Sequence, residues 1–134
     1  MTIKNLTPHR LDILTNVVWG ENDRALSYDN LATIEVDREY ETPRLKVAPK
    51  QGDMVVTTDS GVEIPVSIGS VIQPEFATPL PPVCEGVKYI VSYHCLTQGV
   101  KEGRKDLLAP GRIARDAEGE TIGCDGLISA VWVD

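Results

Sequence analysis

Histidine and cysteine are scarce in this chain, with two of the first and three of the second. That shortage leaves few ways to build a metal centre. Cys84, His94, Cys95 and Cys124 are the one combination chemically suited to a mixed zinc site. No pair among them has C-x-x-C spacing, however, and the adjacent His94 and Cys95 point different ways on a helix or a strand, so no metal is expected. An odd number of widely spaced cysteines also makes a poor disulfide framework, and the thiols are read as reduced, small and apolar. The chain lacks a P-loop, a G-x-G-x-x-G, a G-x-S-x-G and an H-E-x-x-H, so no catalytic residue or cofactor is assigned. Basic excess is missing too: 13 Lys and Arg stand against 20 Asp and Glu, net −7, which argues against nucleic acid as a partner. The longest apolar-rich stretch, Leu127 to Val133, is too short to span a bilayer. The start, Met-Thr-Ile-Lys-Asn, carries no apolar signal segment, so no membrane is expected and the cytoplasm is the expected location.

What is present fits one globular domain over residues 1–134. A chain of 14.6 kDa buries about two-thirds of its unfolded surface, enough for a core without staples. Helical periodicity is nearly absent, and short strand signals are punctuated by turns. Leu11–Leu14 is a short apolar run, Asn16–Asp29 reads as a loop, and Leu31–Val36 alternates as a strand. Glu35, Asp37, Glu39 and Glu41 then fall at period two, which on a strand puts four carboxylates on one face. Met54–Thr58 and Val62–Val66 flank Asp59-Ser60-Gly61 as a hairpin, and the proline-rich 74–82 reads as an extended connector. Val87–Val91 is β-branched and aromatic, the clearest strand. Ser92 is placed to cap a helix running to about Gln98, with Gly99 as its stop. Arg112–Arg115, a turn at 116–119, Thr121–Cys124, a hairpin signal at Asp125-Gly126 and Leu127–Val133 read as a closing β-meander. The expected fold is therefore mainly β with one short helix, a small barrel-like or sandwich domain ending in that meander.

Two polar clusters stand out. A helix start at Ser92 offers free amide N–H groups and a positive dipole end, suited to an anion. Downstream lie five basic residues between Lys101 and Arg115 against Glu102 and Asp106, a local net of +3 in an acidic chain. An Arg fork there can grip phosphate or carboxylate. The plainer reading is that Ser92 only caps the helix and Arg104 pairs with Asp106. In the second cluster, Asn5, Thr7 and His9 alternate and can share a face toward a cleft. Equally, Asn and Thr can bond their own backbone in a turn that Pro8 stiffens.

The segments N-L-T-P-H at 5–9, Y-I-V-S at 89–92, R-K-D-L at 104–107 and P-G-R-I-A-R-D-A-E-G-E-T-I-G-C at 110–124 resemble a family of small bacteriophage and prophage proteins, also present in some bacteria. The resemblance covers the two ends of the chain, and residues 15–75 match only in being β-rich. It implies a shared polar site made of Asn5, Thr7, His9, Ser92, Arg104, Asp106, Arg115 and Asp116. Two Arg and small hydroxyls suit a phosphate-bearing ligand. The expectation that follows is a non-catalytic protein binding a nucleotide-type molecule, such as a sponge for a bacterial immune signal. It would act in the host cytoplasm, as a homo-oligomer. A phage structural or accessory assembly protein is the alternative. A small hydrolase using His9 with Asp106 or Asp116 is a lesser one.

Overall fold

Short β-branched runs separated by turns fold here into ten strands and one α-helix among the described residues, which are 1–48, 53–67 and 71–130 of a computed structural model. The elements in chain order are β1 (Thr2–Asn5), β2 (Leu11–Trp19), β3 (Ala25–Ile34), β4 (Arg44–Ala48), β5 (Asp53–Thr57), β6 (Glu63–Ser67), β7 (Val71–Thr78), β8 (Val87–Ile90), α1 (Tyr93–Lys101), β9 (Leu107–Arg115) and β10 (Thr121–Ile128). The protein is mainly β, as expected. Six strands make one sheet, ordered β1–β8–β9–β10–β2–β3, curled like half a barrel rather than split into a sandwich. Strands β4 with β7, and β5 with β6, form two antiparallel pairs nested in the chain order between β3 and β8.

The sheet is mixed. β1, β8 and β9 run parallel, so β8–α1–β9 is a βαβ unit. β9 pairs with β8 through Leu107 and Leu108, then with β10 from Ala109 onward. The expected meander therefore reduces to the β9–β10 hairpin, because β8 reaches β9 by a helical crossover and β10 lies parallel to β2. Asp125-Gly126 makes no hairpin turn. It sits inside β10, with pairing continuing on both sides at Asp125↔Arg112 and Leu127↔Pro110. Of the apolar stretch that closes the chain, β10 takes Leu127 and Ile128, and residues 131–133 lie outside the described residues.

The core lies between α1 and the parallel strands. Leu6, Tyr89, Val91, Cys95, Leu96, Leu107 and Ala109 form its buried cluster, with Leu45, Phe76 and Leu80 packed against it. Ser92 caps α1 by accepting from Cys95 N at 3.3 Å, as expected. The helix does not stop at Gly99. It runs on to Lys101, and Gly99 is buried inside it where β9 approaches closely. The stop is Gly103, whose φ of +91° lets Arg104 N reach back to Gly99 O at 2.9 Å.

Two further expectations are corrected. Residues 16–29 are not a loop but the ends of β2 and β3 joined by a 3-10 turn at Glu21–Asp23, with Thr15↔Asp29 and Val18↔Ser27 in register. Residues 35–41 are not a strand. Only Val36 makes an isolated bridge, to Asn5, and Asp37 turns the chain by accepting from Glu39 N at 2.9 Å. The four carboxylates therefore share no strand face, and Lys4 takes Glu39 at 3.2 Å. The proline-rich connector is shorter than expected, since Pro74–Thr78 belongs to β7.

Candidate functional site

The N-terminal cluster is used inward. Asn5 has no exposed surface, and its amide has two N–H donors and an oxygen with two lone pairs. Nδ2 donates to His9 O at 2.9 Å and to Ile34 O at 3.2 Å. Oδ1 accepts from Thr7 N at 2.9 Å and from the Thr7 hydroxyl at 2.6 Å, and that hydroxyl also reaches His9 O at 3.0 Å. Asn5 and Thr7 thus hold the 5–9 turn together. The His9 ring is exposed and lines a hollow of about 390 Å³ with Arg10, Asp12 and Thr121–Cys124. Neither Asp106 nor Asp116 borders that hollow.

Ser92 and Arg104 do not meet along α1. Ser92 caps the first turn of the helix, while Arg104 folds back on its last turn, with Arg104 N on Gly99 O. Arg104 makes a fork: Nε and Nη2 donate to the two Asp106 oxygens at 2.8 Å each, and Nη1 donates to Pro81 O at 2.8 Å. The two side chains are only 17% and 13% exposed. Arg115 donates to Gly119 O at 3.0 Å, and Asp116 accepts from Glu118 N and Glu120 N at 2.9 Å each, so both build the turn between β9 and β10. Arg112 stacks on Trp19, 3.8 Å from the ring centroid, and pairs with Asp23 at 2.9 Å. The basic run 101–115 is therefore spread over a helix end, a loop and a strand instead of forming one patch.

The eight expected site residues fall into separate places: Asn5, Thr7 and His9 at the first turn, Ser92 at the helix cap, Arg104 with Asp106 beyond the helix end, and Arg115 with Asp116 at the hairpin. Sequence reasoning missed Lys88. It is the polar position in the otherwise apolar V-K-Y-I-V strand, and that interruption was its signal. Lys88, Arg104 and Lys105 line one hollow of about 410 Å³ beside Cys84, Val87 and Asp106. Among the described residues neither Lys88 nor Lys105 makes an ion pair; the single carboxylate there is bonded to Arg104, and the Lys88 charge helps lower its pKa. Arg104 keeps two of its five N–H donors free of protein partners. The volume falls within the usual range for small-ligand pockets. No three His, Cys, Asp or Glu side chains converge on a metal-binding geometry among the described residues. There, too, no helix is long and apolar enough to cross a membrane.

Burial alone would raise the Asp106 pKa. The hydrogen bonds and charge of Arg104 outweigh it and hold the carboxyl below its ordinary 3.8. A depressed folded pKa adds stability above the unfolded value, and that stability is lost as pH falls through the folded one. Asp106→Asn is expected to cost about 2 kcal/mol at neutral pH, less than for a fully buried pair because solvent screens it. The gap in thermal midpoint between wild type and Asp106→Asn should narrow steadily as pH drops below about 4. A gap that stays constant down to pH 2 would show that the loss does not come from the carboxylate's charge, and no gap at neutral pH would show that the pair adds nothing. Burial likewise pushes the Cys124 thiol up, which suits an inert core group.

Comparison with known proteins adds no relative: no protein family, curated protein or solved structure matches the chain.

Proposed function

We propose that this is a non-catalytic binding protein for a phosphate-bearing small molecule of the nucleotide class, held at the cleft of Lys88, Arg104 and Lys105. The observation that carries the reading is the gathering of three cations around one hollow on a chain of net −7, with two of them unpaired among the described residues. Asp106 and Pro81 O fix the guanidinium, so little freedom is lost when an anion meets its remaining donors. A pocket with fixed donors suits holding an anion, and Cys84 is the one thiol on its lining. That fits a phage-encoded sponge for a nucleotide immune signal acting in the host cytoplasm.

The test is a thermal-shift panel of nucleotides, cyclic nucleotides, ADP-ribose derivatives and pyrophosphate. A ligand at about 100 times its Kd adds roughly 2.7 kcal/mol and should raise the midpoint by several degrees. Lys88→Gln with Lys105→Gln should remove the shift while leaving the unliganded midpoint within about 1 kcal/mol, since both replace exposed or half-exposed side chains. Arg104→Ala is the wrong probe, because it also breaks the Asp106 pair. No shift across the panel, or a shift that the double variant keeps, overturns the reading. The second reading, an assembly protein, is favoured by one observation: the apolar face on the β5–β6 pair.

A further inference from the structure

The β5–β6 ribbon alternates like a half-buried sheet. Partners across it are Met54↔Val66, Val55↔Pro65 and Val56↔Ile64, and directly opposed residues share a face. One face therefore carries Met54, Val56, Ile64 and Val66, extended by Val62 at the turn. The other carries Val55, Thr57, Glu63 and Pro65. Apolar alternation of this kind marks a face that is covered. Among the described residues nothing covers it: Met54, Val56, Val62 and Ile64 are each 46–56% exposed. On the β4–β7 pair Val47 stands opposite Ile72, and both are exposed as well.

Area says how much is left uncovered. The chain exposes 9022 Å². A folded monomer of its mass exposes roughly 6,900 Å². That excess of about 2,100 Å² belongs to the whole chain, the exposed Leu26, Tyr28 and Leu31 of β3 included, and leaves room for the roughly 800 Å² that one partner buries in a standard interface. Charge says what fits. The face holds no ionisable side chain, while Asp59 lies in the turn and Glu63 points to the other side. A second copy, itself net −7, can approach this face without setting like charges against each other. A ribbon face laid on its own copy about a two-fold axis is self-complementary, and charge depletion at the centre is what homodimer interfaces show.

We infer that the apolar face of the β5–β6 ribbon, Met54, Val56, Val62, Ile64 and Val66, packs against the same face of a second copy of this chain. The two ribbons stack as sheets about 10 Å apart. The inference stands apart from the anion cleft, which lies between β8 and the loop before β9.

Sedimentation equilibrium of the full chain tests it. Wild type should sediment as a dimer, twice 14.6 kDa or about 29 kDa, or as an even multiple built on it. Val56→Glu with Ile64→Glu places two charges per copy in the interface and should raise Kd at least about a hundredfold, giving monomer. Thr57→Glu, on the opposite face, should leave the dimer intact. A monomeric wild type at millimolar concentration overturns the inference. So does an oligomer indifferent to the charged pair, or one that Thr57→Glu dissociates equally. Should the double variant fail to fold, hydrogen exchange of wild type decides instead. Amides of residues 54–66 should exchange more slowly as concentration rises, and exchange independent of concentration overturns the inference.

Discussion

Asn5→Ala is expected to destabilise the protein by about 3 kcal/mol, read as a fall of roughly 10 °C in the thermal midpoint. The substitution removes all four hydrogen bonds of a fully buried amide. It takes the amide from the Thr7 N–H and from Ile34 O, while His9 O keeps the Thr7 hydroxyl, and an unsatisfied buried group costs about 1–3 kcal/mol. Position makes it worse. β1 and β3 stand at opposite ends of the strand order, and Asn5 is where they come together. Its side chain holds Ile34 O, its carbonyl accepts from Asp37 N at 2.8 Å, and it bridges to Val36. Asn5→Asp separates size from bonding. It keeps the volume and the acceptor but loses both donors and buries a charge, so it should be at least as damaging. Equilibrium denaturation of both variants measures this, with an unchanged m-value showing that stability alone moved. A loss under about 1 kcal/mol for either would mean that water replaces the amide and that the turn does not depend on it.

Local signals were legible in the sequence where local energetics decide. The β-branched run became β8, Ser92 became a helix cap, the 54–66 hairpin formed around its turn, and Asp116 built the turn it starts. Non-local pairing hid the rest. Residues 16–29, with two Asn, two Asp and Gly20, read as a loop, yet cross-strand pairing overrides that preference and draws them into β2 and β3. The parallel contact of β10 with β2 spans most of the chain and leaves no local trace. The candidate site was harder still. Polar residues selected as a binding set were mostly those that bond backbone groups, because a turn built by Asn and Thr looks in sequence like a cluster of ligand donors. Arg104 was singled out as an anion fork and is one, but its first anion is Asp106. Lys88 escaped notice because a lone lysine in a strand reads as a solvent-facing position, and only the fold brings it beside Lys105.

The misread Asp125-Gly126 signal leads to the other large effect. Gly126 takes φ +65° inside β10, facing Gly111 across the hairpin. A Cβ on Gly111 would overlap the carbonyl oxygen of Asp125 and lie 2.8 Å from that of Gly126. Both obstacles are backbone, so no rotamer change relieves them. Gly111→Ala is therefore expected to cost at least about 3 kcal/mol, at the upper end for overpacking. Gly99→Ala is the control. There an added Cβ would overlap Leu107 Cδ1 and sit 3.2 Å from Leu80 Cδ1, both tips of flexible side chains. Alanine also gains about 1 kcal/mol over glycine within a helix, so the net change should stay near or below 1 kcal/mol. The β9–β10 seam joins the parallel half of the sheet, β1–β8–β9 beneath α1, to the β10–β2–β3 half. Opening it should speed amide exchange in β2 and β10 more than in β8, whose pairing with β1 does not depend on the seam. Equal losses from the two glycine variants, or uniform exchange across both halves, would mean that the hairpin widens at Gly111 with little resistance. In that case a left-handed glycine in mid-strand would serve only to twist β10 and not to admit the close approach of β9.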